Sequence, residues 1–321
     1  MRHVSRRWLR WCGIGVGLLT ALALVCAATA YVTQGWWLPQ AIVSAPNGGR
    51  VVGVRDDNLP GATRQMRVEV GPPAASLALW VVEPPASVRG TVLVLHGLRD
   101  RKASMLRVGK RLAHEGYRAV LVDLRGHGES TGSWLTYGVV ESRDLSQVLD
   151  ALEREKLTAG QVGVYGASYG GAIALMLAGR DPRVRAVVSV ASFATMREEV
   201  PYFIRHSSRV PAWFVSDRAI SCAITDAGKL AEFDPNECTP LAAIQRTKAQ
   251  VLLLHGQPDE KVPVEHGRQM HAAAPLHSEL IVTASPGHDA FCGDRGGVIT
   301  RAMTAWFARW LATPDEHRSQ P

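Results

Sequence analysis

Short apolar runs alternate with longer amphipathic segments along most of the chain. Two runs, at 66–70 and 77–82, flank the turn sequence Gly71-Pro72-Pro73 and predict a pair of antiparallel edge strands. Six later runs lack polar alternation, as strands buried on both faces require. These six runs are 91–95, 119–123, 161–165, 184–190, 250–254 and 280–283.

Segments with helical periodicity lie between the strands. In 137–156, apolar residues recur at spacings of three or four, which places them on one face of a helix. Further helices are predicted at 102–115, 168–180, 264–274 and 298–311. This order predicts βαβ units and an α/β fold in which a mostly parallel central sheet carries helices on both faces.

One interval, 192–247, interrupts the alternation after the sixth strand. It is rich in aromatic residues but contains no clear strand, and an interval of this length inside a compact domain is usually functional. We predict a small helical cap over the active site. One or two of its aromatic residues are expected to line the substrate pocket, and the others form the core of the cap; they are Phe193, Tyr202, Phe203, Trp213, Phe214 and Phe233.

The N-terminal segment has a pattern of its own. Residues 11–32 contain no charge and follow an arginine-rich flank; as a helix they would span about 33 Å, enough for a bilayer core. An uncleaved signal anchor is favoured, because the apolar run is long and Trp36 and Trp37 suit a membrane interface. The alternative is a cleaved signal peptide with Ala28-Thr29-Ala30 as its processing site.

Either interpretation places the catalytic domain on the periplasmic or extracellular side, by the positive-inside rule. The protein is then anchored to the membrane by its N-terminal helix, or secreted after cleavage. The expected organisation is an anchor or signal segment at 1–35, a linker at 36–60, a catalytic domain at 61–314 that includes the cap, and a tail at 315–321.

Composition and charge narrow the class of protein. The chain is 46% hydrophobic and 20% charged, as globular proteins are. Its formal net charge is +7, but four arginines lie within the first ten residues, and without them the net charge is +3. No basic stripe with interleaved aromatic residues occurs in the sequence, so a nucleic-acid partner is not expected.

The cysteines suggest one disulfide. Cys222 and Cys238 enclose a short loop in the predicted cap and could pair in an oxidising compartment, which would leave Cys292 unpaired. Both the paired and the free state are compatible with the sequence. No cysteine or histidine spacing resembles a zinc site.

The strongest chemical signal is Gly166-Ala167-Ser168-Tyr169-Gly170, a G-x-S-x-G sequence between a predicted strand and a predicted helix. This context is typical of a nucleophile elbow, in which the serine occupies a sharp strained turn. Glycines are required because neighbouring backbone approaches the turn closely. Ser168 is therefore the predicted nucleophile.

A serine nucleophile needs a histidine to take its proton and an acid to orient that histidine. Asp259 and His288 each lie in a turn directly after a later predicted strand. Active-site residues of open α/β sheets gather at the carboxyl ends of strands. The order Ser168, Asp259, His288 predicts a catalytic triad.

The oxyanion of the reaction requires two backbone donors. Tyr169 follows the nucleophile at a helix N-terminus, and Leu98 lies in the loop after the first parallel strand. The amides of Leu98 and Tyr169 are the predicted oxyanion hole. His96, in the same loop as Leu98, is interpreted as shaping that loop rather than transferring a proton.

Over roughly 60–312 the chain resembles the α/β-hydrolase superfamily, most closely its serine aminopeptidase-like and monoacylglycerol lipase-like branch. The matching stretches are VLVLHG (92–97), DLRGHGES (123–130), GASYGG (166–171), GQPDEKVP (256–263) and GHD (287–289). The resemblance implies the α/β-hydrolase fold and hydrolysis through an acyl-enzyme, without a metal or organic cofactor. It also assigns Asp123, Arg125 and His127 to a structural turn.

The expected function is that of a serine hydrolase, a carboxylesterase acting on small or medium acyl esters, with a small-molecule ester as its substrate. A peptidase, a thioesterase or an acyltransferase would use the same residues. A non-catalytic binding domain that retains the fold is the alternative outside enzymes.

Overall fold

The computed structural model describes residues 6–48, 63–206, 215–284, 287–294 and 296–312. One eight-stranded sheet forms the centre of the domain, with the spatial strand order β1-β2-β4-β3-β5-β6-β7-β8. In chain order, its strands are β1 (Thr63–Val70), β2 (Ala75–Val82), β3 (Gly90–Leu95), β4 (Tyr117–Val122), β5 (Gln161–Ala167), β6 (Val184–Val190), β7 (Gln250–Gln257) and β8 (Ser278–Ala284).

Strand directions follow the prediction. β2 is antiparallel to both β1 and β4, and the strands from β4 to β8 across the sheet are parallel. Each of the eight predicted strands is present, and most extend one to three residues beyond the apolar run. The predicted α/β architecture with a mostly parallel sheet is confirmed.

Helices cover both faces of the sheet. In chain order, those in the described residues are α1 (Arg6–Val32), α2 (Gln34–Val43), α3 (Leu106–His114), α4 (Val139–Arg154), α5 (Tyr169–Ala178), α6 (Met196–His206), α7 (Asp217–Leu230), α8 (Pro240–Arg246), α9 (Val264–Ala273), α10 (His288–Cys292) and α11 (Val298–Trp310). A 3₁₀ turn, Lys102–Met105, precedes α3.

The core lies in two layers, one on each face of the sheet. Leu93 and Leu95 of β3 belong to one apolar cluster, whereas Val92 and Val94 belong to the other. Successive side chains of a strand point to opposite faces, so a strand covered on both sides must be apolar at every position. This explains why the parallel strands lack polar alternation.

The cap follows the sixth strand, as predicted. Three helices, α6, α7 and α8, lie between β6 and β7. Phe193 is buried in the main apolar cluster and Phe233 packs against it. Trp213 and Phe214 lie outside the described residues.

The N-terminal segment differs from the expected linker. Residues 34–43 form α2, in which Leu38, Pro39, Ile42 and Val43 are buried. The physical reason is that the apolar residues of this stretch repeat at helical spacing and cover the domain, with α7 beside them. The expected linker therefore begins with a packed helix.

Among the described residues, the two N-terminal helices meet the requirements for a membrane span only as a pair. Within the described ranges, no single helix is both long enough and apolar enough to cross a bilayer. The pair Ile14–Thr29 and Gln34–Val43, which bends by 71° at its break, meets the length and composition criteria when the two helices are taken together.

Candidate active site

Ser168 occupies the sharp turn between β5 and α5, with φ 52° and ψ −117°. This conformation is strained for a residue with a side chain, and such strain is concentrated at functional sites. The flanking glycines leave no room for a larger residue. A Cβ atom on Gly166 would lie 2.1 Å from the Gly170 carbonyl oxygen, and one on Gly170 would lie 2.5 Å from the His96 carbonyl oxygen.

The structure brings Ser168, His288 and Asp259 together from three separate turns. His288 Nε2 lies 3.0 Å from Ser168 Oγ, and His288 Nδ1 lies 2.7 Å from Asp259 Oδ2. Asp259 follows the end of β7, and His288 is the first residue of α10, just after β8. Both side chains are almost completely buried. The carboxylate can hold Nδ1–H, which leaves Nε2 free to accept the serine proton.

The backbone around Asp259 favours its charged form. Asp259 Oδ1 accepts hydrogen bonds from the amides of Lys261 and Val262, at 3.0 and 2.9 Å. Burial works in the opposite direction, but the hydrogen bond with His288 and these two amides outweigh it and lower the pKa of Asp259 below its ordinary value. Asp259 is therefore suited to remain an anion that orients His288.

His288 is shifted towards its charged form. Burial disfavours the imidazolium, but the bond to Asp259 and the nearby Cys292 thiol outweigh that effect and raise the pKa of His288 to about 10. Cys292 Sγ lies 3.9 Å from His288 Nε2, on the same side of the ring as Ser168. The sequence singled out Cys292 only as the cysteine left over, and no motif indicated its position beside His288.

Leu98 and Tyr169 line the same cavity as Ser168 and His288. Among the described residues, neither backbone amide of this pair has a hydrogen-bond partner. Tyr169 begins α5, where unpaired amides and the helix dipole favour an anion. A Cβ atom on Gly97, next to Leu98, would lie 3.8 Å from Ser168 Cβ. This arrangement suits the predicted oxyanion hole.

Glu141 fixes the side chain of Tyr169 and was not indicated by the sequence. Tyr169 Oη donates to Glu141 Oε1 at 3.0 Å, and the same carboxylate accepts the amides of Thr136 and Gly138 at 2.8 and 2.9 Å. The ring of Tyr137 meets that of Tyr169 edge-on, with centroids 5.7 Å apart. Buried contacts with Glu141 and Tyr137 therefore fix Tyr169 at the start of α5.

His96 has a structural environment. Its Nε2 accepts the amide of Leu124 at 3.0 Å, while its Nδ1 lies 2.8 Å from the Gly97 carbonyl oxygen. The ring is fully buried, and burial lowers the pKa of His96. These contacts tie the Leu98 loop to the loop after β4, which supports the interpretation of His96 as a loop-shaping residue.

The loop after β4 contains Asp123, Arg125 and His127, and the charged side chains of Asp123 and Arg125 pair with residues outside the loop. Asp123 accepts both the amide and the ammonium of Lys102, at 2.6 and 2.7 Å. Arg125 forms a two-pronged ion pair with Asp144, both bonds being 2.8 Å long. Both ion pairs are buried, as expected for a structural turn.

A cavity of about 880 Å³ opens above Ser168. The residues of the cap interval that line the cavity are Glu199, Val200, Phe203 and Ile204 from α6, together with Phe193, which precedes that helix. Two aromatic residues of the cap interval therefore line the cavity. The N-terminal helix α2 also reaches it, which the sequence did not indicate.

Glu199 is the polar exception in the cap wall. Its side chain is 9% exposed, and Oε2 has no hydrogen-bond partner among the described residues. The nearest basic group is His266 Nε2, at 3.5 Å. Burial raises the pKa of Glu199 more strongly than His266 lowers it. A buried carboxylate facing the cavity can accept a hydrogen bond from a ligand.

The suggested disulfide does not form. Cys222 and Cys238 are both free thiols. Cys238 is buried and donates from Sγ to the Tyr137 carbonyl oxygen at 2.7 Å, whereas Cys222 is exposed on α7. Because the Cys238 thiol points into the core, it cannot meet Cys222 without rearrangement of the cap.

Comparison with known proteins supports the α/β-hydrolase fold. A family model described as the α/β hydrolase fold matches residues 90–239, a segment that contains Ser168 and both oxyanion candidates. The structure also resembles the esterase Pf2001 of Pyrococcus furiosus, with a TM-score of 0.65 at 20% identity over 82% of this chain and 98% of that one. This likeness shows the fold.

Two curated relatives match the sequence. The uncharacterized protein YqkD of Bacillus subtilis is 28% identical over 189 residues, which cover 58% of this chain and 61% of that protein. The lysophosphatidylserine lipase ABHD12 of Macaca fascicularis is 27% identical over 212 residues, which cover 62% of this chain and 49% of the relative. The match thus spans less than two thirds of the length of either relative.

Proposed function

The chain belongs to the α/β-hydrolase superfamily, and from this premise we propose that it is a serine hydrolase, specifically a carboxylesterase. The observation that carries the proposal is the hydrogen-bonded chain from Ser168 Oγ through His288 to Asp259, with separations of 3.0 and 2.7 Å. Its open end faces a cavity of about 880 Å³ that can hold a substrate.

The proposed reaction proceeds in two halves. His288 Nε2 takes the proton of Ser168 as Oγ attacks the ester carbonyl, and the amides of Leu98 and Tyr169 stabilise the oxyanion. The imidazolium then gives its proton to the leaving alcohol, which leaves an acyl group on Ser168. Water, activated by His288, releases the acid and restores the serine. Asp259 holds the imidazole in the required tautomer throughout.

The test is covalent labelling combined with turnover. A fluorophosphonate probe should label the wild-type protein at Ser168, and Ser168→Ala should lose both the label and the hydrolysis of p-nitrophenyl butyrate, by about 10⁴-fold or more. Ser104→Ala is the matched control, because Ser104 lines the same cavity but bonds to Asp100 rather than to a histidine. Labelling of Ser168→Ala at the wild-type level would refute the assignment.

A second candidate is an aminopeptidase that uses the same triad, and Glu199 is the observation that favours it. A buried carboxylate without a hydrogen-bond partner in the described residues could hold the amino group of an aminoacyl substrate. In that case alanine p-nitroanilide should be cleaved, and Glu199→Gln should lower kcat/KM for it while p-nitrophenyl butyrate is spared. Absence of anilide cleavage by the wild-type protein would leave the esterase.

Although α1 meets the length and composition criteria for a membrane span only together with α2, we further propose that α1 anchors the protein in a membrane with the catalytic domain on the periplasmic or extracellular side. The support is exposure: Trp11, Leu18 and Leu22 of α1 are 72%, 66% and 60% exposed, so the domain does not cover them. The full chain should remain in the membrane pellet after an alkaline carbonate wash and should be digested by protease added from outside. Release of the intact chain into the wash would refute the anchor.

A further inference from the structure

Helix α2 contributes a complete face to the catalytic cavity. Trp37, Leu38, Ala41 and Ile42 line the same space as Ser168 and His288. Their spacing, with pairs one and four residues apart, places the four side chains on one side of a helix. Another part of the cavity wall comes from the cap helix α6. The cavity is therefore closed in part by a segment that precedes the hydrolase domain in sequence.

The position of α2 is fixed by buried contacts. The hydroxyl of Tyr137 donates to the Ile42 carbonyl oxygen at 2.9 Å, and the amide of Leu135 donates to the Val43 carbonyl oxygen at 2.7 Å. Leu38 and Ile42 are 3% and 6% exposed. Tyr137 also packs against Tyr169, so the end of α2 is connected to the predicted oxyanion hole through one ring.

Both walls are mainly apolar, with Glu199 of α6 as the charged exception. The α6 side presents Val200, Phe203 and Ile204 to the cavity, and the α2 side presents apolar residues at all four positions. The volume of about 880 Å³ lies near the upper end of the range of about 300–1,000 Å³ that small-molecule sites occupy. A short acyl group would fill only a small part of this space.

We propose that α2 forms one wall of an acyl-chain site and that the substrates are esters of medium-chain acids about the length of decanoate, whose chains lie between α2 and α6. This proposal rests on the proposed esterase function. It narrows the expected acyl group from small or medium to medium, because each additional methylene buried between the walls adds a factor of about four in binding.

The test is a chain-length series with the full chain. For the wild-type protein, kcat/KM should rise by at least about 100-fold from p-nitrophenyl butyrate to p-nitrophenyl decanoate, both kept below their solubility limits. Ala41→Trp places an indole in the wall and should lower the decanoate-to-butyrate ratio by at least about tenfold. Gln40→Trp is the matched control, because Gln40 is adjacent to Ala41 and equally exposed but does not line the cavity.

The outcomes separate the two proposals. If the wild-type protein hydrolyses no ester and Ser168 takes no label, the proposed function fails. If butyrate and decanoate are hydrolysed equally well by a labelled wild-type protein, or if Ala41→Trp and Gln40→Trp give the same ratio, only the acyl wall is refuted. Ala41→Asp is a smaller second variant that should also depress decanoate selectively, because a charge in the cavity wall disfavours an apolar chain. It applies if Ala41→Trp fails to fold.

Discussion

Asp123 and Asp259 hold two buried polar clusters that are built alike but have different surroundings. Each aspartate follows a strand of the parallel sheet, and each accepts backbone amides together with one cationic or ionisable side chain. For Asp123 that side chain is Lys102, and for Asp259 it is His288. The same use of backbone amides thus serves two different clusters.

The two clusters differ in what the aspartate's partner, Lys102 or His288, contacts besides the aspartate. The Lys102 ammonium is also paired with Glu129 and lies 4.8 Å from the centre of the Trp80 ring, and its side chain is buried. The far nitrogen of His288 instead meets Ser168 and the cavity. A buried carboxylate supports structure when its partner is enclosed, and it can support chemistry when the partner opens on a substrate site.

The largest expected effect is a loss of activity in the Asp259 cluster, which opens on the cavity. Asp259→Asn should lower kcat for p-nitrophenyl butyrate by about 10⁴-fold with the fold retained, because an amide cannot hold His288 in the required tautomer. Steady-state kinetics with a circular dichroism spectrum measures both properties. Glu260→Gln is the control and should lose less than about tenfold, since Glu260 accepts the backbone amide of His288, at 3.3 Å, while the imidazole is held by Asp259. Equal losses in the two variants would contradict the role of Asp259.

A substitution in the enclosed Asp123 cluster should lower stability rather than activity. Asp123→Asn leaves Lys102 with only part of its compensation and should lower the free energy of unfolding by about 3 kcal/mol, while kcat/KM of the folded protein stays within about tenfold. Urea denaturation provides the measurement. Glu155→Gln, which breaks the exposed pair with Arg64, should cost less than about 1 kcal/mol. A loss of activity in Asp123→Asn without a loss of stability would erase the distinction between the clusters.

The smallest expected effect concerns pH. His288 must be neutral to accept the serine proton, so activity should rise as the pH rises towards its pKa of about 10. Stability should change with pH in the opposite direction to activity. The ion pair of protonated His288 with Asp259 contributes fully to the free energy of unfolding below pH 6.5, and this contribution is lost as the pH rises to about 10.

Cys292→Ala removes one of the groups that raise the pKa of His288, so the acid limb of the kcat/KM profile should move to lower pH. A pH series with p-nitrophenyl butyrate tests this shift. Cys222→Ala serves as the control, because Cys222 is exposed on α7, in the cap. Superimposable profiles of the Cys292→Ala variant and the wild-type protein would show that the thiol does not influence the imidazole.

The sequence indicated the sheet and the elbow because both depend on local signals. Buried parallel strands must be apolar at every position, and the turn at Ser168 requires glycine at Gly166 and Gly170. Asp259 and His288 could be proposed because each follows a strand in the order that the fold requires. The structure brings these two residues to Ser168; their catalytic roles are a proposal that the variants above test.

The features that the sequence did not indicate depend on distant partners. Glu199 and Cys292 belong to no motif, and only the fold shows that they face the cavity or His288. α2 contains Pro39 and is followed by a glycine-rich stretch, which favoured a linker over a helix in the sequence; its contact with the cap helix α7 is visible only in the fold. Cys238 was a reasonable disulfide candidate by spacing, but its burial against Tyr137 depends on tertiary packing.

The location of α2 has a consequence for processing of the chain. Cleavage after Ala30, at the candidate signal-peptidase site, would remove α1 but leave α2, which begins at Gln34, joined to the domain. A released form and a membrane-bound form would then share the same cavity wall and the same choice of acyl chain. Where the enzyme resides and what it cleaves would be set by two adjacent helices that can be separated by a single proteolytic event.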